Sequence, residues 1–305
     1  MQIAIPEPVP LLPIETVHTG FAQGLAIAFG SVWTASGDDT FITRIDPVTR
    51  RLTVIDGLDG AYQVVPTDDA MWVGSSQGVV RVDPARNAVV SKIGSSLVNA
   101  LVFSFGSLWA AGGGRVVRLD PRTEATIVEI NAFESSASCA LSAVAESIWL
   151  GCGQTLDRID PATNKIVATI PRVGSNPAVV SAGGATWIWT GKDRFNTSSP
   201  TAVLARLDPA AAGLAPGPSL LLVSGASVPG ALPDGDVVWF PTSAGTGPGA
   251  GMLYEFDPRS GVVVKAYDLS EGKGYGDNAI ALGYGFMWAA SGNGEAVRQF
   301  PIPPK

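Results

Sequence analysis

The chain has 305 residues, of which 46% are hydrophobic and 15% charged, with 36 glycines supplying turns; that excludes a disordered chain and gives ample material for a core. A net charge of -7 and a pI near 4.7 exclude a broad nucleic-acid surface, which would need a stripe of Lys and Arg. No run of 18 uncharged apolar residues escapes turn punctuation, so no membrane span is expected.

The chain opens on a Pro-rich stretch, Met1 to Pro13, without the basic and apolar regions of a signal peptide. Ile14–Val17 follows as a short strand, and from there the sequence repeats. Tryptophans recur at Trp33, Trp72, Trp109, Trp149, Trp187, Trp239 and Trp288, spaced by 39, 37, 40, 38, 52 and 49 residues. Asp-Pro pairs follow at Asp46, Asp83, Asp120, Asp160, Asp208 and Asp257, lagging the Trp by 13, 11, 11, 11, 21 and 18. A period in this range marks a repeat architecture.

Each repeat divides into four short apolar runs separated by Gly, Ser and Asp-Pro turns. In the first they fall roughly at Leu25–Phe29, Ser31–Ala35, Phe41–Ile45 and Leu52–Ile55. Four strands in about 40 residues, repeated, predict the blades of a propeller. The expected fold is all-β: one seven-bladed β-propeller domain over 1–305, four antiparallel strands per blade. Blades fall at about 23–56, 63–94, 99–131, 139–171, 176–224, 228–269 and 278–300. The seventh repeat has room for only three strands, and Arg298-Gln299-Phe300 stands where the third repeat has Arg118-Leu119-Asp120. Its outer strand is therefore expected from 14–17, which closes the ring and leaves no open sheet gap.

In the fourth repeat, Cys139 and Cys152 are equidistant from a hairpin centred on Ala145-Glu146, and so face each other across it. Opposed positions of this kind lie within disulfide reach, the alternative being two buried thiols. A disulfide implies an oxidising compartment, so an extracytoplasmic or secreted location is expected, with the cytoplasm as the alternative.

The recurring Asp is read as accepting turn hydrogen bonds. The Arg two residues before it is read as an inter-strand or inter-blade partner, and the Trp as inter-blade packing. Function must lie elsewhere, and the default is the face where second-to-third-strand and blade-to-blade loops emerge around the channel. Gln23, Gln63, Asn99, Asn176 and Asn278 fall about ten residues before their tryptophans and should converge there. They would hydrogen-bond a polar ligand or, alternatively, satisfy turn backbone. Tyr62 belongs to the same rim. The fifth repeat adds a long loop tipped by Lys192, Asp193, Arg194 and Phe195, and the sixth an uncharged glycine-rich one from Pro241 to Gly251. The connection from Ser270 to Asn278 adds Glu271, Lys273, Tyr275 and Asp277. Long loops on a rigid scaffold either carry function or are tolerated insertions.

The sequence Gly-Ser-hydrophobic-Trp followed by Arg-hydrophobic-Asp-Pro-x-Thr, as in RIDPVT at Arg44–Thr49 and RIDPAT at Arg158–Thr163, resembles the YVTN-type and streptogramin B lyase-like bacterial β-propeller repeat family over nearly the whole chain. The resemblance implies the propeller fold. Lyases of that group open a cyclic depsipeptide by elimination, using a histidine base and a glutamate with magnesium near the channel mouth. This sequence offers one histidine, His18, in the loop region after the closing strand, and no His-x-His pair.

Three functions remain open. The first is a non-catalytic propeller, expected to be a monomer, that binds a small polar molecule or peptide at the channel mouth. The second is a lyase or hydrolase on a cyclic or ester substrate, with His18, Glu134, Glu271 and Asp277 as acid/base groups and Lys192, Arg194 or Lys273 stabilising negative charge. The third is an interaction scaffold or sensor domain. No cofactor is identified from the sequence; magnesium or calcium are the ions open to such a mouth.

Overall fold

The computed structural model describes residues 5–37, 39–132, 139–171, 173, 175–191, 203–208, 213–214, 220–221, 231–242, 251–271, 277–291 and 295–303. The chain is a seven-bladed β-propeller, each blade a sheet of sequential antiparallel strands. Blade one consists of Gly24–Ala28, Ser31–Ala35, Phe41–Ile45 and Leu52–Asp56, within one residue of the expected bounds. Its second strand is buried at every position, as are those of blades two, three and four. The outer strands instead alternate exposed and covered residues. That gradient explains why the second strands read as uninterrupted apolar runs and the fourth strands as period-two patterns.

Internal contacts divide the chain into two compact units, Pro13–Leu141 with Ala281–Lys305, and Met1–Leu12 with Ser142–Ile280. The first holds blades one to three and most of blade seven. Glu15–His18 pairs antiparallel with the third strand of blade seven, Ala296–Pro301, matching Val17 to Val297; the N-terminal strand thus closes the last blade. Between blades one and two the core is built on Trp33, Ile42, Ile55, Met71 and Val80, and between two and three on Trp72, Leu101, Leu108 and Leu119.

In blades one, three, four and seven the tryptophan framework follows one recipe. The indole Nε1 of Trp33, Trp109, Trp149 and Trp288 donates to the carbonyl five residues earlier, fastening the first hairpin of its blade. On the third strand, Arg44 stacks over Trp33 at 5.1 Å and Arg118 over Trp109 at 4.8 Å. Arg44 also donates to Ser31 Oγ in its own blade and to the Pro84 carbonyl and Asn87 Oδ1 in the next. The Asp of the following turn caps backbone N–H groups: Asp46 Oδ1 accepts from Val48 and Thr49, both at 2.8 Å. Asp46, Asp83, Asp120 and Asp160 all sit below the usual carboxylate range, chiefly because backbone N–H groups donate to them.

Blade seven departs from the expected alignment by one residue. Trp288 lies opposite Gln299, whereas Trp109 lies opposite Arg118, so the framework position belongs to Gln299 and not to Arg298. The cation over Trp288 comes instead from Arg50 of blade one, at 5.4 Å, which also donates to Gln299 Oε1.

The second unit holds most of blade four together with blades five and six. The Ser142 hydroxyl accepts from Val179 N–H, linking blade four to blade five, and Trp187 Nε1 donates to the Pro258 carbonyl, linking five to six. Blade six carries a fifth strand that the sequence did not announce: Val9–Pro10 pairs parallel with the outer strand Val262–Asp268. A sheet edge admits proline, and Leu11 N–H continues the pairing to the Asp268 carbonyl. Within the sheet of blade four, Cys139 and Cys152 are disulfide-bonded, the outcome the hairpin register allowed, in place of two buried thiols.

Candidate functional site

The rim over blades one and two gathers the groups with the most to offer a ligand. It is built on a short bridge between loops, in which Gly37 N–H donates to the Ala61 carbonyl and Ala61 N–H donates back. Gly37 has φ of +67°, and a Cβ there would lie 2.9 Å from the Phe21 ring and 3.3 Å from Gln23 Oε1. The position therefore accepts only glycine, and the ring and the amide both rest against its backbone. Phe21 is 41% exposed and Gln23 is also exposed. Beside them the Tyr62 hydroxyl pairs with Ser76 Oγ at 3.0 Å, Ser76 N–H donates to the Asp59 carbonyl, and Asp59 meets Lys92 at 3.4 Å.

This geometry sorts the expected amides. Gln23, Tyr62 and Asn99 hold equivalent positions, each donating its backbone N–H to the second strand of its own blade: to Ala35, Gly74 and Ala111. Gln63 is one residue further along, opposite Gly74, and its Oε1 accepts Leu101 N–H of the next blade at 2.7 Å. Its amide is committed to joining two blades. Asn99 is part-buried, and its Oδ1 is buried without a hydrogen-bond partner among the described residues. Asn176 is exposed at φ of +48°, with its N–H donating to the Gly153 carbonyl.

The remaining candidates are less gathered. His18 is the last residue of the closing strand, opposite Ala296, rather than a loop residue. Glu271 occupies a turn after blade six at φ of +52°. Asp277 and Asn278 begin the first strand of blade seven, with side chains outside the described residues. Glu134, Lys192, Asp193, Arg194, Phe195, Lys273 and Tyr275 also lie outside the described residues. No group of three or more His, Cys, Asp or Glu placed to hold a metal occurs among the described residues. No helix among them is long and apolar enough to cross a membrane.

Phe21 is the residue that sequence reasoning missed. It recurs in no other repeat, so the period gives no signal; the available one was an aromatic placed directly after Gly20 in a rim loop, where no core position calls for it.

Solved structures resemble this chain in fold. A computationally designed protein, Ika8, matches with a TM-score of 0.64 at 16% identity, covering 96% of this chain and all of its own. The WD40 domain of Neurospora crassa Pan2 matches at 0.69 with 13% identity, covering 94% of this chain and 91% of the domain. A chain of the Mitotic Checkpoint Complex matches at 0.75 with 11% identity, covering 100% and 96%. At such identities the likeness concerns the propeller fold alone. No known family's sequence profile matches the chain, and no curated protein does.

Proposed function

We propose that this chain is a non-catalytic interaction propeller that binds a peptide or small polar molecule on the rim of blades one and two. The observation that carries this reading is the exposed Phe21 ring beside the exposed Gln23 amide, both seated on backbone locked by the Gly37–Ala61 bridge. A ring offers stacking area, and an amide offers both an NH2 donor and a carbonyl acceptor, so together they suit a peptide group and its neighbouring side chain. The Tyr62 and Ser76 hydroxyls extend that polar surface. The likeness to a WD40 domain and to a chain of a checkpoint complex supports an interaction module. The RIDPVT and RIDPAT motifs support kinship with YVTN-type and streptogramin B lyase-like propellers at the level of the framework they serve. The disulfide supports an extracytoplasmic setting.

The test is selection of ligands from a library of random displayed peptides, followed by affinity measurement on variants. Phe21→Ala and Gln23→Ala should each weaken the selected peptide by about tenfold while leaving Tm unchanged. Gln63→Ala should lower Tm and leave affinity alone. Peptides that bind equally well to the Phe21 and Gln23 variants would overturn the reading.

A further inference from the structure

On the face opposite that rim, blades two and three enclose an open cavity of about 580 Å³. It is formed by the first hairpin turn of blade two, with Thr67, Asp68 and Asp69, by Phe103 from the inner strand of blade three, and by Asp120 and Arg122 from that blade's Asp-Pro turn. These elements all belong to one compact unit. Phe103 is 36% exposed. The carboxylates around it are held in place: Arg81 Nη2 donates to Asp69 Oδ2 at 2.8 Å, Thr67 Oγ1 donates to Asp69 Oδ1 at 3.4 Å, and Asp120 Oδ1 accepts from Arg122 and Thr123 N–H. Asp68 is exposed at the mouth.

The lining discriminates between ligand classes. Asp68, Asp69 and Asp120 outnumber the two guanidinium groups beside them, Arg122 in the lining and Arg81 on Asp69, which disfavours an anion, and the chain's net charge of -7 adds to that bias. A wholly apolar ligand would strip water from the Asp68 carboxylate and offer nothing in its place. A planar cation on an apolar stem satisfies both demands, stacking on the Phe103 ring while donating to the carboxylates around it. Because Arg81 and Thr67 already fix Asp69, little side-chain ordering is required when the cation arrives.

We propose that this cavity is a second docking site, one that seats an arginine side chain presented by a loop or extended segment of a partner protein. It does not rest on the rim of blades one and two, and either site can fail without the other. The probe is Nα-acetyl-arginine-N-methylamide, titrated into the isotope-labelled full chain and followed through the backbone amide resonances of Thr67–Asp69 and Phe103–Gly106. The expected result is saturable shifts at those residues, with the neutral isostere made from citrulline binding about tenfold more weakly, since it keeps the shape and loses the charge. Asp68→Asn should weaken the arginine probe severalfold with Tm unchanged, since Asp68 is exposed, and Phe103→Ala should abolish its binding. Should Phe103→Ala fail to fold, Phe103→Leu keeps the packing and removes the ring. No shift with the arginine probe, equal binding of citrulline, or indifference to both the Asp68 and the Phe103 variants would each overturn the proposal.

Discussion

Blades three and seven place the same cation over the same indole by different routes. In blade three, Arg118 reaches Trp109 from the neighbouring strand of its own sheet and donates to Ser107 Oγ. In blade seven that strand offers Gln299, and the guanidinium arrives from Arg50 of blade one. Blade three therefore completes itself, whereas blade seven is completed by the blade on its far side. Blades one, two, three, four and seven share a guanidinium stacked on a buried Trp, whichever residue supplies it, whereas blade six sets Glu255 opposite Trp239. Arg50 also gives the closing blade a polar tie to blade one beyond the pairing of Glu15–His18 with Ala296–Pro301.

The most damaging test removes the indole common to both blades. Trp109→Ala and Trp288→Ala each empty a fully buried site and should cost about 3–5 kcal/mol in chemical denaturation. If the two losses differ severalfold, the blades are not equivalent in their packing and the comparison fails at its base.

The next test separates the two routes. Arg118→Ala and Arg50→Ala should each cost about 1–2 kcal/mol, from a lost cation–π contact and lost hydrogen bonds. Only Arg50→Ala also leaves Gln299 Oε1 without its donor in a fully buried residue. Gln299→Arg should destabilise the wild-type chain by setting a second guanidinium beside Arg50. In the Arg50→Ala background the same change should recover stability, because blade seven would then complete itself as blade three does. A double-mutant cycle measures that coupling, and additivity would refute it.

Blade four adds a contrast at a neighbouring position. Asp157 lies opposite Leu150, where blade three has Val117 opposite Ala110. Asp157 is buried and accepts a hydrogen bond from Thr169, and burial holds its carboxyl above the usual range. A group whose folded pKa is raised penalises the fold above that pKa, and the penalty is relieved as pH falls through it towards 3.8. Asp157→Asn should therefore stabilise the chain at pH 7, with a gain that shrinks on acidification. Thermal melts of the two proteins at pH 7 and pH 4 read the effect directly.

These contrasts also explain what the sequence could and could not reveal. The period of the tryptophans, the Asp-Pro turns, the closing strand and the cysteine register were legible because each is a local pattern repeated at fixed spacing. Blade seven misled at Arg298 because matching residue types suggested a register that Trp288 and Gln299 do not share. Arg50 was invisible in its role because the blade it serves lies 238 residues further along the chain. Gln63 and Tyr62 exchanged places for a similar reason: a slip of one residue in a strand turns a side chain to the other face. Phe21 lies outside the repeat, and the Phe103 cavity forms where repeat elements of two blades come together. They depend on turns from separate hairpins meeting, which spacing along one hairpin does not encode.

The smallest expected effect concerns the Asp-Pro turn, which blade three possesses and blade seven lacks: Asp120 follows Leu119 in one, and Pro301 follows Phe300 in the other. Asp120 is held below the usual carboxylate range, first by the Arg122 N–H and then by the Thr123 N–H. The unfolded chain thus binds the proton more readily than the native one. The stabilisation is complete above the unfolded value of 3.8 and is lost as pH falls through the lower native one. Asn can still cap both N–H groups, so giving up the charged acceptor should lower Tm only slightly at pH 7. The Asp120→Asn and wild-type values should converge below pH 4, which leaves the variant with the flatter acid limb. A parallel change at Pro301 should leave the acid limb untouched, since no carboxylate titrates there. If the acid limb of Asp120→Asn superimposes on that of the wild type, the turn owes its geometry to Pro121 and the backbone, and in this respect blades three and seven are closer than their sequences suggest.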